Sequence, residues 1–535
     1  MPGFQWTLLP AEIRNPILER ISRQSYRGTA AAVCSEWQAY LEPRNFARLR
    51  LELRNLEQFG KMTARTAGFV SEIRVNVRLP RYSCPECRSS ESMQHLLRNN
   101  FIFRVTLHKL FGVLRNWEPR ESLTLELNVF SPSDAEHWFK HSCIELDDQL
   151  DDSESWHHLQ RQAFSGWHEP EHGWVRGRRV ESPSAGALLR VFGRVCCRVL
   201  SGLPESLPKT RAVTRLVVPR ESLRRIPPEA LMLLAHKLPR LRTIVYEPWS
   251  EVSRARENET DNELSYMISH SLPSHVETLS IFEDINFALA SALSNDPWTP
   301  SQFNPPSYSH MVESLVLRSC SLKNLSISFM IDAWDFLGYL REDFGSQLRS
   351  LTLTAAILMR DSESGDIDSF LERASLFPRA LEQLERLVLW NCEDGDACAV
   401  VYQRDRSTQK ATLTTRATWN LALNGETLRS WKKVDPGYTL VVEHERLRMA
   451  IRRPVNAIRH LRLPGEILNP TSAWKRPREV SVEERSEEDS LLEVGIPDGW
   501  QRIEYFLGVA LMLFVDFLRS NAFPYVWYQR WNGEI

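Results

Sequence analysis

No sign of charge dominates this 535-residue chain: 66 Lys+Arg stand against 68 Asp+Glu, a net charge of −2. That balance excludes electrostatic capture of nucleic acid as a main function. Cysteine is scarce, with nine residues, an odd number, and no regular spacing. A disulfide framework is therefore excluded, and a reducing compartment, cytoplasm or nucleus, is expected. No charged-then-apolar signal segment opens the sequence. The apolar run Tyr505 to Val515 has eleven residues between Glu504 and Asp516, short of the roughly 20 that a spanning helix needs. It reads as a helix that covers the end of the fold or waits for a partner, not as a membrane anchor. A Gly-rich phosphate loop, a Gly-x-Ser-x-Gly elbow and paired helix histidines are also missing. No catalytic residue and no cofactor are expected, and the chain reads as a non-enzyme.

What the sequence does contain is a repeat. Val276-Glu-Thr-Leu279-Ser-Ile281, Val312-Glu-Ser-Leu315-Val-Leu317, Leu348-Arg-Ser-Leu351-Thr-Leu353 and Leu384-Glu-Arg-Leu387-Val-Leu389 place their central leucines 36 residues apart each time. A fixed interval with apolar residues at fixed offsets is the mark of stacked repeats. Looser copies precede them at Val213 to Val218 and Leu241 to Tyr246, and further units are expected at Trp419 to Leu423 and Ile458 to Leu463. The last residues of each motif alternate apolar and polar, the strand period. Helix-like stretches follow at Phe287 to Leu293, Asp332 to Leu340 and Asp366 to Ala374. Strand then helix, repeated, predicts an α/β fold laid out like leucine-rich repeats, with a period longer than their usual length of roughly 20 to 29 residues. Such stacks present broad surfaces, so recognition is expected before catalysis.

The first fifty residues differ. Leu9, Ile13, Ile17 and Ile21 recur every four residues and form an apolar stripe, with Pro16 inside the same helix. After Arg27-Gly28, Thr29 is placed to cap a second helix running to about Leu41, ended by Pro43. Its stripe is Val33, Trp37 and Leu41. Two helices of this size make little core alone and need a partner surface.

Leu9-Pro10-x-Glu12-Ile13, then Ile17-Leu18, then Val33-Cys34-x-x-Trp37 resembles the F-box. This is the helical module by which substrate receptors dock on the Skp adaptor of cullin-RING ubiquitin ligases. The resemblance implies that Leu9, Pro10, Ile13, Ile17, Leu18, Val33, Cys34 and Trp37 are the adaptor-binding positions. The runs Val213-Thr-Arg-Leu216, Arg224-Arg225-Ile-Pro-Pro228, Leu238-Pro239-Arg-Leu241 and Tyr246-Glu-Pro-Trp249 look like fungal F-box proteins with degenerate leucine-rich repeats. So does the region from Trp419 to Leu463. The likeness implies a substrate receptor for ubiquitination and names no target; a repeat scaffold unconnected with any ligase is the alternative.

The organisation expected is a helical docking module at residues 1–48, then entry strands and helices with a His/Asp-rich insertion at 49–200. A leucine-rich-repeat-like solenoid with a C-terminal α/β region follows at 201–470, and a charged linker and apolar helix at 471–535. Two segments hold metal-binding residue types. Cys84-Pro-Glu-Cys87 has the spacing of half a zinc knuckle, but the neighbouring His95 and His108 complete no standard pattern. Residues 137–172 hold His137, His141, Asp147, Asp148, Asp151, Asp152, His157, His158, His168 and His172 at irregular spacing, in the manner of a solvated loop. Both are read as loops, with no metal ligands assigned.

Overall fold

The computed structural model describes residues 6–23, 27–139, 172–175, 178–179, 181, 183–195, 207–250, 254–283, 309–340, 345–393, 395–449, 451, 454–470 and 472. The chain divides into two compact units, Met1–Arg476 and Pro477–Ile535, and every described residue belongs to the first. The expected helix at Phe287 to Leu293, the charged linker and the apolar run at Tyr505 to Val515 lie outside the described residues. No helix among the described residues is long and apolar enough to cross a membrane.

Among the described residues the fold is mixed α/β, organised by a twelve-stranded sheet. Its strands are β1 (Arg48–Leu51), β2 (Glu72–Arg78), β3 (Thr124–Phe130), β6 (Arg215–Val218), β7 (Thr243–Tyr246), β8 (Thr278–Phe282), β9 (Asn324–Asp332), β10 (Ser350–Thr354), β11 (Arg386–Glu393), β12 (Asp396–Asp405), β13 (Lys410–Ala417) and β14 (Thr439–Arg446). Two further short strands, β4 (Trp174–Val175) and β5 (Arg178–Arg179), pair with each other in a two-stranded sheet. From β1 to β11 each strand of the sheet lies parallel beside the one before it. Strands β12 and β13 then turn back as antiparallel neighbours, and β14 pairs parallel with β13.

The register lines apolar residues up across the strands. Ile73, Leu125, Leu216, Ile244, Leu279, Leu325, Leu351 and Leu387 are successive partners, and all are buried in one continuous core. Side chains alternate across a strand, so this row and the row two residues on face the same way. Helices cover that face, among them Met93–Leu114, Pro228–Lys237, Ser309–Ser319, Ala333–Tyr339 and Ser364–Ala374. The last of these buries Ile367, Phe370, Leu371 and Ala374, the i, i+3, i+4, i+7 stripe of a core-facing helix. Asp332 caps Ala333–Tyr339: its Oδ1 accepts from Trp334 N at 2.7 Å, while Oδ2 accepts from Ala356 N at 2.7 Å.

One repeat copy is corrected. Val312 to Leu317 is not a strand but part of helix Ser309–Ser319. Its Met311, Val312, Leu315 and Val316 are buried and Leu317 is 59% exposed, which is the period of a helix. The strand of that interval is β9, whose Leu325 stands in the leucine row 46 residues after Leu279 and 26 before Leu351. Those unequal gaps average 36, so the even interval outlived a wrong element. Two more expected units also fail. Trp419 to Leu423 is irregular, and Ile458 to Leu463 ends helix Pro454–His460 and its following turn.

The opposite face of the sheet is closed by residues 451, 454–470 and 472. Ile451, Val455, Ala457, Leu461, Leu463, Ile467 and Leu468 pack with Phe282, Val388, Trp390 and Ala399 in a second core. Towards the N-terminal strands this face becomes polar but stays buried: Arg74 Nε lies 2.6 Å from Glu126 Oε1, and Asn469 Nδ2 donates to Glu126 Oε2 at 3.4 Å.

Candidate functional site

At the front, helix Ala11–Ser22 runs through Pro16 without ending. The second helix departs from its expected limits. Arg27–Ala30 forms only a short turn of helix, and the longer helix is Ser35–Ala47, starting after the extended Cys34 and continuing past Pro43. A tertiary contact holds its last turn, because Ala47 O accepts from Ser71 N at 2.8 Å and from Ser71 Oγ at 2.9 Å. The chain then enters β1 directly.

The helix pair closes its own small core with Leu18, Ile21, Trp37 and Leu41, all buried. Trp6 stands edge-on to Trp37 at 5.1 Å and donates its indole N–H to Glu36 Oε2 at 2.9 Å. Arg14 Nη1 reaches Glu36 Oε1 at 2.5 Å. Tyr40 donates to Glu19 Oε2 at 2.8 Å, a bond that holds the Glu19 carboxyl below its usual range.

This divides the eight motif positions. Leu18 and Trp37 are internal, Leu9 and Ile17 are half-buried, and Pro10, Ile13, Val33 and Cys34 are exposed. Leu8, which the motif does not include, is 76% exposed, with Ile13 at 50% and Val33 at 43%. The contacts of Trp6 and Arg14 with Glu36 and Trp37 set residues 8–13 and 33–34 at the same end of the pair. The result is a set of apolar side chains in water beside a core that needs none of them.

A second cluster joins the loops after β2 and β3. Cys84 opens the turn Cys84–Glu86, fixed by Ser83, whose N–H and hydroxyl both donate to Glu86 Oε2, at 2.9 and 2.7 Å. His137 follows helix Pro132–Glu136, which starts with Ser131 N donating to Asp134 Oδ2 at 2.9 Å. His172 precedes Gly173, whose φ is +71° and where a Cβ would stand 2.6 Å from the Glu181 carbonyl oxygen. Only glycine suits that position.

Cys84 Sγ is 3.5 Å from His172 Nε2. The His137 and His172 rings stack with centroids 4.5 Å apart and planes at 12°, and the donor atoms of all three residues lie within 4.8 Å of one another. Both histidines are buried. Cys87, at the end of the same turn, is buried beside Trp138 and Cys84, and burial pushes its thiol up.

Sequence spacing pointed elsewhere for partners to Cys84. His95 Nε2 lies 3.4 Å from Glu86 Oε1, and His108 is exposed on helix Met93–Leu114. His141, Asp147, Asp148, Asp151, Asp152, His157, His158 and His168 lie outside the described residues. The convergent histidines are the two that bracket the insertion, 53 and 88 positions beyond Cys84. Elements lying between them left no spacing to read.

Residues 271–469 match the model of a family of unknown function (DUF6546). This stretch is less than half of the chain. It begins ahead of β8 and ends in the returning segment, and so contains neither the front helices nor the Cys/His cluster. No curated protein matches the chain.

Proposed function

We propose that this chain is a non-catalytic adaptor, the substrate-recognition subunit of a Skp-cullin-F-box ubiquitin ligase. In this reading the front helices dock on the Skp adaptor and the α/β body, a leucine-rich-repeat-like solenoid, holds a protein target. The observation that carries it is the exposed apolar group Leu8, Pro10, Ile13 and Val33 on helices whose own core is already closed by Leu18, Ile21, Trp37 and Leu41. Water-exposed large apolar residues grouped at one end of a helix pair suit a protein partner, and the likeness of residues 6–48 to the F-box names its class. The row of partnered leucines and isoleucines through eight strands supports the solenoid reading. Function then follows from proximity: a ligase and a target held on one chain meet at raised effective concentration, and no bond is made or broken by the chain itself.

Ile13→Asp with Val33→Asp tests the docking. Both side chains are exposed, so the variant should keep the wild-type melting temperature while purified Skp adaptor is no longer captured. Each apolar anchor replaced should weaken docking by about 1 to 3 kcal/mol. Unchanged capture by the double variant rejects the reading.

A repeat scaffold whose front helices serve as a cap is the second reading, favoured by the Ser71 to Ala47 hydrogen bonds that tie the second helix to the body. Deleting residues 1–47 separates the two. A cap takes stability with it and lowers the melting temperature; a docking module leaves it close to that of the full chain.

A further inference from the structure

We infer that Cys84, Cys87, His137 and His172 form a zinc centre that pins the loops following β2 and β3, a role independent of how the front helices are used. Zinc prefers four nitrogen and sulfur ligands in a tetrahedron, with Zn–S about 2.3 Å and Zn–N about 2.0 Å, which sets sulfur and nitrogen about 3.5 Å apart. The Cys84 Sγ to His172 Nε2 separation of 3.5 Å has that length. His137 brings its donor atom within 4.8 Å of both, so three ligands from distant parts of the chain converge on one point.

The fourth comes from the same turn as the first. Cys87 closes the Cys-x-x-Cys turn, three residues after Cys84, and is buried beside it. Cys87 is not among the three residues whose donor atoms already converge, and a rotation of its side chain would supply the second thiolate. Two thiolates balance the charge of Zn2+, and their two protons leave to solvent as the metal binds. A neutral centre suits the burial of both histidines, and paired thiolate and imidazole ligands favour zinc over magnesium or calcium.

The support around the ligands is that of a built site. Glu86 with Ser83 fixes the cysteine turn, Asp134 with Ser131 fixes the helix ahead of His137, and Gly173 admits a conformation that places His172. The two histidines bracket residues 138–171 in the sequence. A metal held by both therefore closes the root of that insertion and ties it to the loop after β2, a long-range cross-link of the kind that removes most entropy from the unfolded chain.

The test is elemental analysis of the purified full chain after dialysis against metal-free buffer, with one zinc per chain expected. Cys84→Ser and His172→Gln should lose the zinc, and Cys320→Ser, after helix Ser309–Ser319, should keep it. Because a ligand variant can misfold, the wild-type chain gives a second readout. Stripping with a chelator should lower its melting temperature, Zn2+ but not Mg2+ should restore it, and Co2+ should give the visible spectrum of a tetrahedral thiolate site. A wild-type chain without zinc, whose melting temperature ignores both chelator and Zn2+, overturns the centre. Zinc that stays on Cys84→Ser overturns it equally, and tight zinc retained by Cys87→Ser removes Cys87 as the fourth ligand.

Discussion

Ser472 donates its hydroxyl to Glu247 Oε2 at 2.5 Å, across 225 positions of sequence. Glu247 is fully buried and also accepts from Arg220 N at 2.9 Å and Asn469 N at 2.5 Å. The carboxyl just after β7 is thus where the returning segment is fastened to the sheet.

That fastening carries a pH dependence. Burial pushes the Glu247 carboxyl up to about 8, against the three hydrogen bonds that favour its charged form. The unfolded chain releases this proton near pH ~4.3. Between that value and about 8 the folded state holds a proton that the unfolded state lacks. Stability from this group is therefore full below the lower value and is lost as the pH rises through the upper one. Melting temperatures measured from pH 5 to 9 should fall for the wild-type chain, and Glu247→Gln should flatten the part of the slope below pH 8. An identical slope in both would reject the assignment.

Leu317 and Leu353 occupy equivalent places in two copies of the sequence motif but opposite environments. Leu353 is fully buried in β10, whereas Leu317 is 59% exposed on helix Ser309–Ser319. Leu353→Ala should cost about 2 to 5 kcal/mol, and Leu317→Ala should stay within about 0.5 kcal/mol of wild type. Urea unfolding of the two variants distinguishes helix from strand at the second copy.

That pair also shows how far the sequence could be read. Leucines at 279, 351 and 387 fall on strands because x-Leu-x-Leu alternation matches the pleat, and the flanking helices at Ala333–Tyr339 and Ser364–Ala374 announced themselves through their stripes. Val312 to Leu317 carries the same letters, but a Val and a Leu three apart also share a helix face, and here helix packing decided. Strands β12 and β13 escaped because they turn back as antiparallel neighbours, and β12 holds no leucine to continue the interval. At the candidate sites, the exposed front residues were legible as a motif, although burial of Leu18 and Trp37 was not. The partners of Cys84 were illegible, since a contact across 88 positions depends on where β2 and β3 place their loops.

Arg224 is the buried charge on which those loops converge. Its Nη2 stands 3.3 Å from Asp134 Oδ1 and 3.3 Å from Glu91 Oε1, and its Nη1 donates to Val191 O at 2.5 Å. Arg224→Met would leave two carboxylates buried without their cation. The expected loss is about 3 to 5 kcal/mol, read by chemical unfolding. Because Asp134 also caps the helix that precedes His137, the same variant should weaken zinc binding. A loss below about 1 kcal/mol would mean that solvent reaches the group.

Trp37 separates folding from docking at the front of the chain. Its ring is buried and stands edge-on to Trp6, not offered to a partner. Trp37→Ala removes a core aromatic, and the expected cost of about 3 to 5 kcal/mol exceeds what two short helices can absorb. Limited proteolysis should therefore cut Trp37→Ala within residues 6–47 while the body resists, whereas Ile13→Asp, on an exposed face, should resist like wild type. Failure of Trp37→Ala to capture the adaptor then reports an unfolded module, and only failure of Ile13→Asp reports a damaged docking face. If both variants resist the protease equally, the helices draw their stability from the body beneath them, and the cap reading gains at the expense of the docking one.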